Sequence, residues 1–242
     1  MKNYYKLNKL ITISDVDSKY NLRIDNLLNI IQDISTFHSY ELKVDRETLV
    51  NSSNAFWVLS KLKLVFNKLP KWNEEITFKT WPTTLSTIRF FREFSVFSNS
   101  YEYLMGNSEW CLLDATTKTL RKSNTINYPF DMEHLPANPN MPAFERIRVE
   151  VLDGDYNYTY KVAYTDLDCN NHTNNVSYIK MALNAFTPQE LDEILFKGVE
   201  INFLNQTYYG DMINIYKKKC EDGYYIEGKF EDKKIFILKF YM

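Results

Sequence analysis

The order of segments in this chain occurs twice, and that repetition limits the fold more than any single residue does. The first copy opens with a strand-like stretch near Tyr4 to Ser14. Asn21 to Phe37 follows, with Ile24, Leu27, Leu28, Ile31, Ile34 and Phe37 at helical spacing. Four strand-like segments come next, Phe56 to Asn67, Glu75 to Trp81, Thr87 to Phe97 and Tyr101 to Ala115. Turn signals such as Leu-Pro-Lys-Trp-Asn, Trp-Pro-Thr-Thr and Ser-Asn-Ser separate them. A connector bearing Pro129, Pro136, Pro139 and Pro142 then leads to a second strand–helix–strands series. It comprises a strand at Tyr156 to Tyr164, a helix at Asn175 to Phe186 and a Thr187-Pro-Gln-Glu190 capping box opening a short helix. Strands follow at Val199 to Thr207, Met212 to Cys220, Tyr224 to Phe230 and Lys234 to Tyr241.

The copies also align residue by residue. Ile13-Ser-Asp-Val-Asp17 matches Tyr164-Thr-Asp-Leu-Asp168, and Leu62 to Phe66 with Trp72-Asn-Glu74 matches Val199 to Phe203 with Tyr209-Gly-Asp211. Duplication explains matched order and matched residues together. One helix wrapped by an antiparallel sheet is the hotdog architecture. Two in tandem predict an α+β double hotdog whose sheets join, each helix buried in a concave face. The expected division is 1–128 for the first hotdog, 129–150 for a linker and 151–242 for the second. With 45% hydrophobic and 16% aromatic residues, the chain can fill such a core.

Chemistry concentrates in the second copy, in Asp166-Leu-Asp-Cys-Asn-Asn-His-Thr-Asn-Asn-Val-Ser-Tyr178. Asp168, Asn170 and His172 occupy alternate positions, which in extended backbone share a face. Asn174 is a favoured N-cap for a helix carrying Val176, Ile179, Met181, Ala182 and Leu183. Its first N–H groups would lie beside the three polar side chains and suit an anion. A carboxylate, an amide, an imidazole and an anion hole are the parts that acyl hydrolysis needs. In the first copy the positions of Asn170 and His172 hold Lys19 and Asn21, so only the second copy carries this set.

These motifs resemble the acyl-(acyl carrier protein) thioesterases of plants and bacteria. The second-copy segment is similar to that family's catalytic Asp-x-Asn-x-His-x-Asn-Asn-x-x-Tyr. The first copy adds Trp57-Val-Leu-Ser60, Pro70-Lys-Trp72, Thr80-Trp-Pro82, Arg89, Arg92-Glu-Phe94 and Ser108-Glu-Trp-Cys-Leu-Leu-Asp114. The resemblance implies Asp168, Asn170 and His172 as catalytic positions. It also implies a strand Glu, often followed in plant members by Cys. Here those places hold Gln206 and Thr207, so no cysteine nucleophile stands there. The implied activity is hydrolysis of fatty acyl-acyl carrier protein to free fatty acid, ending fatty acid synthesis. An acyl-CoA or other acyl thioesterase and a non-catalytic acyl binder are the alternatives. Asp168 or His172 would activate water, or Asp168 would attack directly to form an anhydride. Asn170 and the helix N–H groups would polarise the carbonyl, with Gln206 orienting water. The acyl chain is expected in the first hotdog, between the Asn21 to Phe37 helix and its sheet.

The remaining features bound partners and location. Lys+Arg 29 against Asp+Glu 31 opposes nucleic-acid binding, and no phosphate-cradling glycine loop occurs among the 6 glycines. No cofactor is expected. Cys169 and His172 form one C-x-x-H without a second ligand pair, so no metal is expected either. Three cysteines (Cys111, Cys169, Cys220) suggest a reducing compartment. With no signal-peptide pattern and no long apolar run, the expectation is a cytoplasmic protein without membrane association. His38 and His134 read as surface or satisfied histidines. Lys217-Lys-Lys219 and Lys118 to Lys122 read as solvated ends or as lures for an acidic carrier protein. That carrier is the expected partner, with a homodimer as candidate assembly.

Overall fold

The computed structural model describes residues 2–129 and 135–242; His134 lies outside them. The chain divides into two compact units, Met1–Pro142 and Ala143–Met242. In the first, β1 (Tyr5–Leu10), β2 (Ala55–Phe66), β3 (Glu75–Leu85), β4 (Arg89–Ser98) and β5 (Tyr101–Asp114) form an antiparallel sheet ordered β1-β3-β4-β5-β2, with β6 (Leu120–Arg121) on β5. In the second, β7 (Tyr156–Lys161), β8 (Gly198–Phe203), β9 (Met212–Cys220), β10 (Gly223–Phe230) and β11 (Lys233–Tyr241) are ordered β7-β9-β10-β11-β8. Strand for strand the two orders are the same. Each unit is a hotdog, and the fold is the α+β double hotdog expected.

The central helices differ in length. α1 (Ile24–Glu41) has 18 residues, and Leu27, Leu28, Ile31 and Ile34 form its buried stripe. Each such side chain stabilises the fold by roughly 1.5–3 kcal/mol on burial. The stripe faces a sheet surface that includes Phe78, Phe94, Leu62 and Leu64. The helix of the second unit, numbered α3 (Asn175–Leu183), has 9 residues, with Tyr178 packing on Phe236 at 5.4 Å between ring centres. A helix not foreseen, α2 (Arg46–Ser53), starts at Asp45, whose side chain accepts from the Thr48 N–H. Six of its 8 residues are polar and it buries only Leu49, so apolar spacing does not reveal it. The expected capping box opens α4 (Pro188–Glu193).

β1 ends at Leu10 rather than Ser14 and α1 runs to Glu41 rather than Phe37, and two further boundary shifts have a clear cause. Trp81-Pro82 is not a turn, because β3 runs on to Leu85. Proline is tolerated there since β1 pairs with β3 no further than Thr80, and the β3–β4 register slips after Pro82. β8 stops at Phe203 rather than Thr207, because the N–H groups of Leu204 and Asn205 both turn to the Ile235 carbonyl. Gln206 therefore lies in a loop beyond the strand.

One polar cluster interrupts the apolar interior of the first unit. Arg92 on β4 is buried and donates to His38 Nδ1 (3.0 Å) and Thr80 Oγ1 (3.2 Å). An arginine can only donate, so Nδ1 carries no proton. The Nε2–H then donates to the Lys2 carbonyl, 3.1 Å away. His38 is thus a satisfied, neutral histidine. Burial and the Arg92 guanidinium push its pKa down to about 4. On the opposite sheet face Glu93 accepts from the Asn138 N–H at 2.7 Å, and burial raises its carboxyl pKa.

His38 takes up a proton more readily unfolded than folded. Its contribution is therefore whole above the ordinary histidine range and is lost as pH falls towards 4. Urea denaturation between pH 7 and 4 should show stability falling. His38→Gln, which can keep both hydrogen bonds, should fall less steeply. Equal slopes would mean that His38 is protonated in the folded state.

Candidate active site

The polar motif folds into a tight loop rather than an extended strand, and one carboxylate explains why. Asp168 Oδ1 accepts from the N–H of Asn170 (2.7 Å) and of His172 (3.1 Å), and Oδ2 accepts from the Asn170 side-chain amide (3.1 Å). The Asp168 N–H donates to the His172 carbonyl, and the Asn171 N–H to the Asp168 carbonyl. Asn171 takes φ 60°, a left-handed conformation that asparagine accepts. The alternate spacing of Asp168, Asn170 and His172 thus reflects N–H groups gathered two and four residues beyond an aspartate. The expected shared face in extended backbone is not formed, and the turn gathers main-chain groups instead.

All three side chains are half-buried. Asp168 and Asn170 touch directly. The His172 ring instead packs edge-on against Tyr208, with centroids 5.3 Å apart, and has no hydrogen-bond partner among the described residues. Gln206 is exposed, and among the described residues no hydrogen bond joins its amide to the other three. Cys169 is exposed as well.

The loop is anchored on both sides. Asp166 is buried and accepts from the Ala163 N–H (2.8 Å) and the Tyr160 hydroxyl (2.9 Å), while its carbonyl accepts from the Asn174 N–H (2.7 Å). Burial and that carboxylate push the Tyr160 phenol up to about 12, so it remains a donor. Asn174 caps α3 as expected, its side chain accepting from the Val176 N–H at 3.0 Å. The Ser177 N–H goes to the Asn174 carbonyl. The anion hole foreseen at this helix is thereby narrowed to the Asn175 N–H. Thr173 is tied to Thr207, N–H to carbonyl, at 2.9 Å. Asp166, Thr173, Thr207 and Tyr208 were not singled out as site residues from the sequence. Asp166 is visible through its repetition as Asp15 and Thr207 through the family's cysteine position, whereas Thr173 and Tyr208 carry no separate signal.

The first unit contains the same loop without the same chemistry. Asp17 accepts from the N–H groups of Lys19 (2.8 Å) and Asn21 (2.9 Å), and its own N–H donates to the Asn21 carbonyl. Tyr20 takes φ 61°, as Asn171 takes φ 60°. Asp15 accepts from the Thr12 N–H, and the Arg23 N–H donates to the Asp15 carbonyl. The bridges Val16–Leu22 and Leu167–Thr173 correspond. The duplication read from short sequence matches is therefore present bond by bond.

Among the described residues no group of three His, Cys, Asp or Glu side chains could hold a metal ion, and no helix is long and apolar enough to cross a membrane.

Residues 2–125 match the acyl-ACP thioesterase N-terminal domain and residues 150–235 the acyl-ACP thioesterase C-terminal domain. The chain belongs to the acyl-ACP thioesterase family. Among curated relatives it is 19% identical over 225 residues to oleoyl-acyl carrier protein thioesterase 1, chloroplastic, of Arabidopsis thaliana, covering 87% of this chain and 62% of that protein. It is 25% identical over 181 residues to the acyl-[acyl-carrier-protein] hydrolase FATB3, chloroplastic, of Cuphea viscosissima, covering 70% of this chain and 43% of that one. The chain thus spans about two-fifths to three-fifths of the length of these relatives. The crystal structure of an acyl-ACP thioesterase from Bacteroides thetaiotaomicron superposes with a TM-score of 0.86 at 22% identity, over 99% of this chain and 97% of that one. The 12:0-ACP thioesterase from Umbellularia californica does so at 0.82 and 11% identity, over 100% and 97%. At these identities the likeness establishes the double hotdog fold.

Because each aspartate holds its loop through main-chain donors, Asp17→Ala and Asp168→Ala should each cost about 1–2 kcal/mol. Urea melts of the two variants should shift to similar extents. A large shift in only one would mean that the loops are held by different interactions.

Proposed function

We propose that this protein hydrolyses the thioester linking a fatty acyl group to acyl carrier protein, releasing free fatty acid and ending chain elongation. The observation that carries the reading is the imidazole of His172. It is half-buried and without a hydrogen-bond partner among the described residues, on a loop already closed by Asp168. Asp168 spends its oxygens on three donors of that loop, which favours an anchoring role. His172 is left to take the proton of the attacking water. The water oxygen bonds to the acyl carbon, and the carbonyl becomes an oxyanion. Asn170 gives one amide hydrogen to Asp168 and keeps the second for that oxyanion, beside the Asn175 N–H. Collapse breaks the carbon–sulfur bond, and the proton held by His172 goes to the leaving thiolate. Gln206 orients the water through its amide.

The acyl chain, in this reading, lies in the first unit between α1 and the inner face of its sheet. The acidic carrier protein is the partner. Lys217 is paired with Glu190 at 2.8 Å and Lys218 with Asp155 at 3.5 Å, which favours a structural role for both. Three unpaired cysteines fit a cytoplasmic setting, and a homodimer is the assembly proposed.

Assays on matched acyl-carrier-protein and acyl-CoA substrates test the reading. Hydrolysis of the carrier substrate should dominate. His172→Ala and Asp168→Asn should each lower turnover by at least about 100-fold while the fold survives. Preference for acyl-CoA, or binding without turnover, would overturn it.

Gln206→Glu should preserve or raise kcat at pH 7 to 8, since a carboxylate can accept a proton that an amide cannot. Repulsion between a second carboxylate and Asp168 opposes this gain. Profiles of kcat against pH for the two forms decide the matter. A large loss across that range would mean that the site is built around the amide.

A further inference from the structure

Thr207 is fully buried between two exposed residues, Gln206 and Tyr208. Its hydroxyl lies 2.7 Å from Thr173 Oγ1 and 3.1 Å from the Tyr178 hydroxyl. Thr173 Oγ1 also donates to the Thr207 carbonyl at 3.1 Å. Each hydroxyl has one proton, which sets the direction of the chain. Thr173 spends its proton on that carbonyl, so Thr207 donates to Thr173 and Tyr178 donates to Thr207. Burial raises the Tyr178 pKa, which keeps the phenol a donor.

The first unit shows that the fold does not require this chain. There the backbone bond persists, from the Leu22 N–H to the Pro70 carbonyl at 2.7 Å. The residues corresponding to Thr173, Thr207 and Tyr178 are Leu22, Pro70 and Leu27. Leu22 and Leu27 are fully buried, and none of the three has a hydroxyl. An apolar trio serves the same loop junction where the polar site is absent. Three linked hydroxyls stand only where the Asp168, Asn170 and His172 set is present.

We propose that Thr207 is a positioning residue of the thioester site. Clasped by Thr173 and Tyr178, it fixes the segment that holds Gln206 and the Tyr208 ring against the His172 loop. This rests on the hydrolase reading for its effect on turnover, but the clasp is measurable without it. Thr207 never touches the reacting atoms. It fixes the distance between two loops, each of which contributes a side chain to the site. A valine there keeps the shape and loses the donor, and serine keeps the donor.

The experiment compares wild type, Thr207→Val, Thr207→Ser and Tyr178→Phe. It reads kcat and KM on one acyl-carrier-protein substrate, thermal melting, and the imidazole NMR signals of His172. Thr207→Val should lose about tenfold in kcat, the scale of one hydrogen bond, with KM little changed. The His172 signals should move or broaden. Thr207→Ser should recover to within about threefold, with His172 signals like wild type. Should the valine variant not fold, Tyr178→Phe reads the same chain from its far end, with a several-fold loss in kcat. The proposal is overturned if the folded valine or phenylalanine variant keeps wild-type kcat and His172 signals, or if serine is as damaging as valine. A wild-type protein inactive on every thioester would overturn the hydrolase reading alone, since the His172 signals would still judge the clasp.

Discussion

Everything in the site depends on an aspartate that accepts from the N–H groups two and four residues further along the chain. Those bonds bend the backbone sharply just before a helix. They also place the next residue so that its own N–H reaches the carbonyl of a distant loop, Pro70 in the first unit and Thr207 in the second. The helix start, the turn and the entry to the following hairpin become one rigid junction. Most backbone groups of the turn are paired locally, and in the second unit the Thr173, Thr207 and Tyr178 hydroxyls add a side-chain link.

On that junction the two units diverged in what their side chains offer. The first filled its inner positions with leucine and proline and kept a helix twice as long as that of the second unit, 18 residues against 9. The second placed hydroxyls inside and an amide and an imidazole outside. Polar groups inside are costly unless linked, and the three hydroxyls are linked in one direction with no donor wasted. The first unit carries its own polar exception at Arg92 and His38, where donor counting fixes which ring nitrogen holds the proton.

Much of this is legible in the sequence. Strand-like patterning places ten of the eleven strands to within four positions, and the Asn174 and Thr187 caps mark two helix starts. The two-residue β6 is too short to carry a pattern, and β8 ends four residues before Thr207. α2 escaped because it buries one leucine and gains its start from a side-chain cap. That Asp168, Asn170 and His172 belong to one polar loop is legible, but what shapes the loop is not. Alternation suggests a strand, whereas aspartate bonding to N–H groups at even offsets yields the same spacing in a turn. The Thr173, Thr207 and Tyr178 chain was out of reach, since it joins residues 34 apart whose contact only the folded junction creates.

The duplicated loop has a consequence for how such a site changes over time. Its aspartate grips main-chain atoms, which every residue supplies alike. Lysine and asparagine in one copy and asparagine and histidine in the other are fittings on an identical socket. New fittings can be tried without refolding the socket, so gain and loss of chemistry at this place need cross no valley of unfolded intermediates. Aspartate itself is the one member that cannot be exchanged freely. The shape of this loop can therefore be kept without the amide and the imidazole, as it is around Asp17.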